Sequence, residues 1–282
     1  MRKLLVSLLT LALVGCADTA DQQAADAPAG EAVEAQAAPD VVGEEVAYEV
    51  DGVALTGYIA YDANRTGERP GVLVVHEWWG HNDYVRERAR MLAEMGYTAL
   101  ALDMYGDGKQ AEHPGDAQTF MMEVLNDMEA GAARFDAALA LLQDHATTDP
   151  SAMAAIGYCF GGGVALDMAR RGRDLDAVAS FHGSLATESP AGMADITARL
   201  FVAHGADDPF VPPAEVEAFQ AEMEAAGADL RFVAYPGAVH AFTNPVATAK
   251  GEEFGLPLAY NEAADQQSWA ELEAFLDEVF GG

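Results

Sequence analysis

Apolar and polar positions alternate over Val46–Val50 and again over Val53–Tyr61, with Asp51-Gly52 between the two runs. Period-2 segments joined by Asp-Gly predict an antiparallel hairpin. Further along, the pattern changes to short continuous apolar runs at Gly71–His76, Tyr97–Asp103, Ala152–Gly157, Asp176–Phe181, Arg199–His204 and Asp229–Tyr235. Such runs are expected of strands buried on both faces. Between them, helical spacing covers Asp83–Met95, stopped by Gly96, and Ala117–Asp144, with a break expected near Gly131. Phe160–Arg171 ends at Gly172, Pro212-Pro213 opens a helix that stops at Gly227, and Glu262–Phe280 closes the chain. Pro at the start and Gly after the end are ordinary helix punctuation. Strands alternating with helices predict an α/β domain: a mostly parallel central sheet, helices on both faces, and an antiparallel N-terminal edge hairpin. No internal linker follows residue 46, so 44–282 reads as one domain.

The first 43 residues have a different texture. Met1-Arg2-Lys3 is basic, and Leu4–Val14 is an apolar run of signal-peptide length, too short for a membrane span. It ends in Leu13-Val14-Gly15-Cys16, which resembles a bacterial lipobox. That resemblance implies a lipoprotein signal peptide over 1–15 and lipid attachment at Cys16. A plain secretory signal with an incidental cysteine is the alternative. Ala17, standing where an inner-membrane lipoprotein would carry Asp, resembles the outer-membrane pattern. Residues 16–43 are rich in Ala, Asp, Glu, Gln and Pro and have no aromatic residue, so they read as a disordered acidic tether. The expected location is the bacterial cell envelope, with the membrane reached only through the lipid.

Charge narrows the partners. Lys and Arg total 15 against 46 Asp and Glu, a net charge of -31, or about -33 once residues 1–15 are removed. Such a surface repels phosphate backbones and argues against nucleic acid. Lys3, Lys109 and Lys250 are the only lysines. The acid excess reads as solubility through self-repulsion, or as adaptation to a saline exterior. Two cysteines exclude a disulfide framework and a Cys-rich zinc site. His76-Glu77 with His81 does not make H-E-x-x-H, because the fifth residue is Gly80, so no metal site is expected.

Chemistry is legible in one stretch above all. Gly157-Tyr158-Cys159-Phe160-Gly161-Gly162-Gly163 stands between a predicted strand and a predicted helix. A strained strand–turn–helix elbow needs small residues two positions either side of its nucleophile and presents that side chain at a helix N-terminus. Cysteine suits the place, because a thiolate is a strong nucleophile. A buried structural cysteine in a packing turn is the bland alternative. The glycines miss the phosphate-binding spacing G-x-G-x-x-G, and no Gly-Lys-Ser/Thr follows. An acid and then a histidine should follow such a nucleophile. Asp208, in Gly205-Ala206-Asp207-Asp208-Pro209-Phe210-Val211-Pro212, fits the acid, with Asp207 as the alternative. His240, just past the strand ending at Tyr235, fits the base. His182 and His204, also at strand ends, read as polar packing groups.

Four stretches together, His76-Glu77-Trp78-Trp79-Gly80, Leu102-Asp103-Met104-Tyr105, the Cys159 elbow and Asp208…His240, make Val46–Phe280 similar to the dienelactone hydrolases, a branch of the α/β-hydrolase fold. The resemblance implies a Cys159–His240–Asp208 triad. It implies that Glu77 takes the thiol proton when substrate binds, and that the backbone N–H groups of Trp78 and Phe160 form an oxyanion hole. The substrate would be a small ester or lactone, cleaved through a thioester without a cofactor. One position departs from the pattern: an arginine four residues after the histidine helps those enzymes bind a substrate carboxylate, and here it is Asn244. Dienelactone itself is therefore a doubtful substrate. Trp78, Trp79 and Phe242 suggest a more apolar pocket. The rival readings are a non-catalytic ligand-binding surface lipoprotein and a thiol redox sensor, the latter weakened by the lack of a second cysteine in the body of the chain.

Overall fold

A computed structural model describes residues 38–192 and 195–281. The expected signal peptide, Cys16 and the expected tether as far as residue 37 lie outside the described residues. The strands are β1 (Val41–Val50), β2 (Val53–Asp62), β3 (Arg69–Val75), β4 (Thr98–Leu102), β5 (Thr148–Tyr158), β6 (Ala177–Phe181), β7 (Arg199–Gly205) and β8 (Leu230–Tyr235). They form one 8-stranded sheet in the order β1-β2-β4-β3-β5-β6-β7-β8. β1 and β2 pair antiparallel, β2 joins β4 antiparallel, and every later pairing is parallel. The expected edge hairpin and parallel centre are both present.

β1 begins inside the stretch read as tether. Val41 and Val42 pair with Asp62 and Tyr61, and the Asp40 N–H donates to Asp62 Oδ1 at 2.9 Å. The pairing partner lies twenty residues away, beyond the reach of local composition.

Seven helices complete the described chain: α1 (Asp83–Glu94), α2 (Pro114–Leu125), α3 (Met128–Gln143), α4 (Phe160–Arg170), α5 (Pro213–Ala226), α6 (Ala247–Phe254) and α7 (Glu262–Phe280). The continuous apolar strands divide their side chains between two cores. Leu73, Val75, Leu100 and Leu102 pack with Phe135 of α3, Val164 of α4 and Phe219 of α5. Their neighbours Val72, Val74, Ala99 and Ala101 pack with Leu92 of α1 and Leu272 of α7 on the other face. Period-2 alternation inside an unbroken apolar run is how a doubly covered sheet is built.

The single helix expected over 117–144 is two. Its break falls at Asn126-Asp127, where Asp127 caps α3 by accepting from the Ala130 N–H at 3.1 Å. Gly131 sits buried within α3 instead. An Asp side chain that satisfies orphan N–H groups starts a helix more decisively than one glycine ends it. α6 has no counterpart in the sequence reading, because eight residues, Ala247–Phe254, are too few to display a helical stripe. Among the described residues no helix is long and apolar enough to cross a membrane.

Candidate active site

The carboxyl ends of β3, β5, β6 and β7 and the loop after β8 meet around Cys159. The residue stands between β5 and α4 with φ 53° and ψ -118°, a conformation that costs a non-glycine residue of order 1–3 kcal/mol. The flanking glycines explain how the turn closes. A Cβ at Gly157 would collide with the Gly161 carbonyl, and one at Gly161 would collide with the carbonyl oxygens of Val75 and His76.

Cys159 Sγ lies 3.1 Å from His240 Nε2, and His240 Nδ1 lies 2.8 Å from Asp208 Oδ2. Asp208 is fixed from its other oxygen, which accepts from the Phe210 N–H at 2.8 Å. Asp207, the alternative acid, is exposed to solvent. Asp208 and His240 are both buried, whereas Cys159 is partly open to solvent. Burial alone would lower the His240 pKa. The charge at Cys159 and the bonds to Asp208 and Cys159 more than reverse this and hold it at about 10.

Glu77 follows β3 in a turn closed by the Gly80 N–H donating to the Glu77 carbonyl at 3.1 Å. Asn244 Nδ2 donates to Glu77 Oε2 at 2.6 Å, while Oε1 is buried without a partner among the described residues. Burial pushes Glu77 up to about 7, against the Asn244 bond and the positive charges of His240, Arg88 and Lys250. The only hydrogen bond of its carboxylate among the described residues thus goes to Asn244, and that of Cys159 Sγ to His240.

Loop packing explains the Leu102-Asp103-Met104-Tyr105 stretch. Asp103 accepts from the N–H groups of Tyr105, Gly106 and Gly108 at 2.8, 2.9 and 2.8 Å. The Tyr105 hydroxyl then donates to the Trp78 carbonyl at 3.0 Å, so the stretch holds the loop that carries Glu77 and Trp78. The Phe160 N–H opens α4 and has no intrahelical acceptor. The Trp78 N–H has none among the described residues.

His182 lies closer to the chemistry than the sequence reading placed it. The Cys159 N–H is shared between the Phe181 carbonyl at 3.0 Å and His182 Nδ1 at 3.1 Å. Burial, with the nearby charges of His240 and Arg88, lowers the His182 pKa well below the usual range. The neutral ring accepts at Nδ1 and donates from Nε2 to Thr243 Oγ1 at 2.7 Å. Thr243 meets the Tyr84 hydroxyl at 2.6 Å, and its carbonyl accepts from Arg88 Nη2 at 2.6 Å. Arg88 is buried and also bonds Asp265 at 2.7 Å. Tyr84, Arg88 and Thr243 were not singled out from sequence. Arg88 did leave a signal: it stands on the buried stripe Val85, Ala89, Leu92 of α1, where a charge needs a partner.

A cavity of about 730 Å³ opens on Cys159 and His240. Its apolar wall is not the expected one. Trp79 is buried against Phe254 and under Lys250 Nζ, 3.9 Å from the ring. Phe242 is fully buried against His182 and Tyr235. Trp78 stacks edge-on to Trp79 at 5.0 Å. The wall comes from Met121, Met122, Leu125 and Met128 of α2 and α3 and from Phe160 and Val164 of α4. A second cavity of about 490 Å³ lies beyond Asn244, lined by Tyr84, Arg88, Met91 and Lys250 among others.

Against known proteins, residues 55–280 match the model of the dienelactone hydrolase family. The chain belongs to that family. It is an enzyme of ester or lactone hydrolysis with an α/β-hydrolase fold. Among its relatives is Protein usf of Aquifex pyrophilus, 31% identical over 242 residues, covering 84% of this chain and 99% of the relative. A dienelactone hydrolase-like promiscuous phosphotriesterase from metagenomic libraries is 35% identical with a TM-score of 0.79, covering 85% of this chain and 99% of that one. A solved chain named m3DLH is 37% identical with a TM-score of 0.80 over the same shares.

Proposed function

We propose that this hydrolase of the dienelactone hydrolase family cleaves a carboxylic ester or lactone with Cys159 as nucleophile. The observation that carries the reading is the unbroken run of contacts Cys159 Sγ–His240 Nε2, 3.1 Å, and His240 Nδ1–Asp208 Oδ2, 2.8 Å. The thiol proton passes to His240, and Asp208 stabilises the imidazolium. Sγ adds to the carbonyl carbon, and the oxyanion is met by the Phe160 and Trp78 N–H groups, each worth roughly 3 kcal/mol in acyl transfer. His240 returns the proton to the departing alcohol oxygen, leaving a thioester. Water, deprotonated by His240, adds to the thioester and expels the Cys159 thiol, releasing the acid. Glu77 assists from the side: a carboxylate poised near neutrality, within electrostatic reach of His240, holds or releases a proton as the sulfur changes charge. The chain carries no cofactor in this scheme.

With Asn244 in the place of the clamping arginine, and engaged by Glu77, dienelactone itself is not the preferred substrate. Cys16, as a lipid-bearing first residue of the mature chain, tethers the enzyme in the bacterial envelope. Mass spectrometry of the membrane-fraction N-terminus, with an acylated Cys16 expected, checks this; a free mature terminus at another residue refutes it.

The deciding experiment is turnover of p-nitrophenyl esters and an enol lactone by the full chain beside Cys159→Ala and His240→Ala. Both variants should lose at least about a thousandfold in kcat. Activity surviving Cys159→Ala overturns the mechanism. The similarity to a promiscuous phosphotriesterase adds a neutral phosphotriester to the panel.

A further inference from the structure

Among the described residues, four large apolar side chains stand exposed: Met122, Leu125, Phe210 and Val246, at 39, 44, 51 and 51%. Three of them surround the reaction centre. Met122 and Leu125 line the cavity that holds Cys159, and the Phe210 ring meets the His240 imidazole edge-on at 5.0 Å. On a chain with net charge -31, apolar groups left in water at one place point to what occupies that place. Met122, with Met121 and Met128 in the same cavity lining, reinforces this, because methionine side chains adapt to flexible apolar partners.

The cations of the same cavity are already engaged. Arg170 donates to both Glu222 oxygens at 2.8 Å and to the Leu185 carbonyl at 2.9 Å. Arg171 donates to Asp167 at 2.6 Å and to Glu129 at 2.7 Å. A carboxylate entering here finds no unpaired guanidinium among the described residues, inside a field that repels anions.

We infer that the enzyme takes uncharged esters bearing a flexible apolar chain of several carbons, laid along Met122, Leu125 and Met128 from Cys159 outward. The inference rests on the ester-hydrolase reading above and names its substrate class. A volume of about 730 Å³ is ample for such a chain beside the reacting group.

The test is kcat/KM of the full-length protein for p-nitrophenyl acetate, butyrate and hexanoate, and for ethyl, butyl and hexyl acetate. Succinate and adipate monoesters serve as anionic counterparts. Burying a methylene on this wall is worth roughly a two- to fourfold gain in kcat/KM. The advantage over four methylenes is then roughly 15- to 250-fold in the series whose variable half lies on the wall. Met122→Gln with Leu125→Gln, both exposed and safe for folding, should cut the hexanoyl-to-acetyl or hexyl-to-ethyl ratio by about fivefold or more. Val246→Gln, equally exposed but beside the other cavity, should leave that ratio unchanged. Flat profiles in both series, or anionic esters outrunning neutral ones of equal length, overturn the inference while ester hydrolysis stands. No turnover of any ester overturns the ester-cleavage part of the proposed function and the inference with it.

Discussion

Replacing Glu77 by glutamine separates its cost from its use. Glu77 is 2% exposed, and one of its carboxyl oxygens has no partner among the described residues. Burial lifts its pKa from 4.5 to about 7. Below pH 4.5 the group is protonated whether the chain is folded or not. As pH rises through about 7 the folded protein must ionise it in place, so stability present at low pH is lost across that window. The difference amounts to about 3 kcal/mol by order of magnitude. Glu77→Gln keeps the shape and an oxygen to accept from Asn244, and it removes the ionisation. The variant should match the parent near pH 4 and exceed it by up to about 3 kcal/mol at pH 8, or about 6–12 °C in Tm for a domain of this size. Urea unfolding and thermal melts at the two pH values read this directly. In parallel, kcat/KM at pH 8 should fall, the usual exchange of activity for stability at a strained site. A stability change that is equal at pH 4 and pH 8 refutes the buried-carboxylate argument. Unchanged turnover removes Glu77 from the chemistry.

Other perturbations probe the support of the site. His182→Phe deletes the acceptor on the Cys159 N–H and the donor to Thr243; it should lower kcat about 10- to 100-fold with KM within about twofold, the signature of a misplaced nucleophile. His182→Asn, which retains an acceptor, should recover part of that loss; equal loss in both variants points to ring packing instead. Arg88→Met leaves Asp265 and the Thr243 carbonyl without their buried donor and should destabilise the fold by about 3–5 kcal/mol in urea titrations. A loss under about 1 kcal/mol there means the pair is effectively solvated.

The parallel strands were legible because burial on both faces writes them as unbroken apolar runs, Leu73 to one core and Val74 to the other. Cys159, Asp208 and His240 were legible as candidates because each follows a strand whose end the hydrophobic pattern already marks. The hidden parts have in common that a distant residue decides them. Val41 and Val42 became strand through Asp62 and Tyr61. The role of His182 depends on the elbow at 159 and the loop at 243. The cavity wall was misread because Trp79 and Phe242 sit beside the site residues in sequence but point into the cores, whereas Met122 and Leu125 arrive on a helix some 35 residues before the nucleophile. An aromatic side chain next to a functional residue says little about which way it faces.

The two-helix arrangement at Asn126-Asp127 bears on how the protein breathes. α2 is held by only two buried side chains, Ala117 and Val124, whereas α3 buries five residues, including Phe135 and Leu142. Units with few buried anchors open at lower free energy than the rest of a domain. Amide deuterium uptake should run ahead in 114–125, with 128–143 lagging, under conditions where the sheet is fully protected. Fraying there loosens the Met122 and Leu125 wall of the Cys159 cavity and leaves the strands that fix the reacting groups in place.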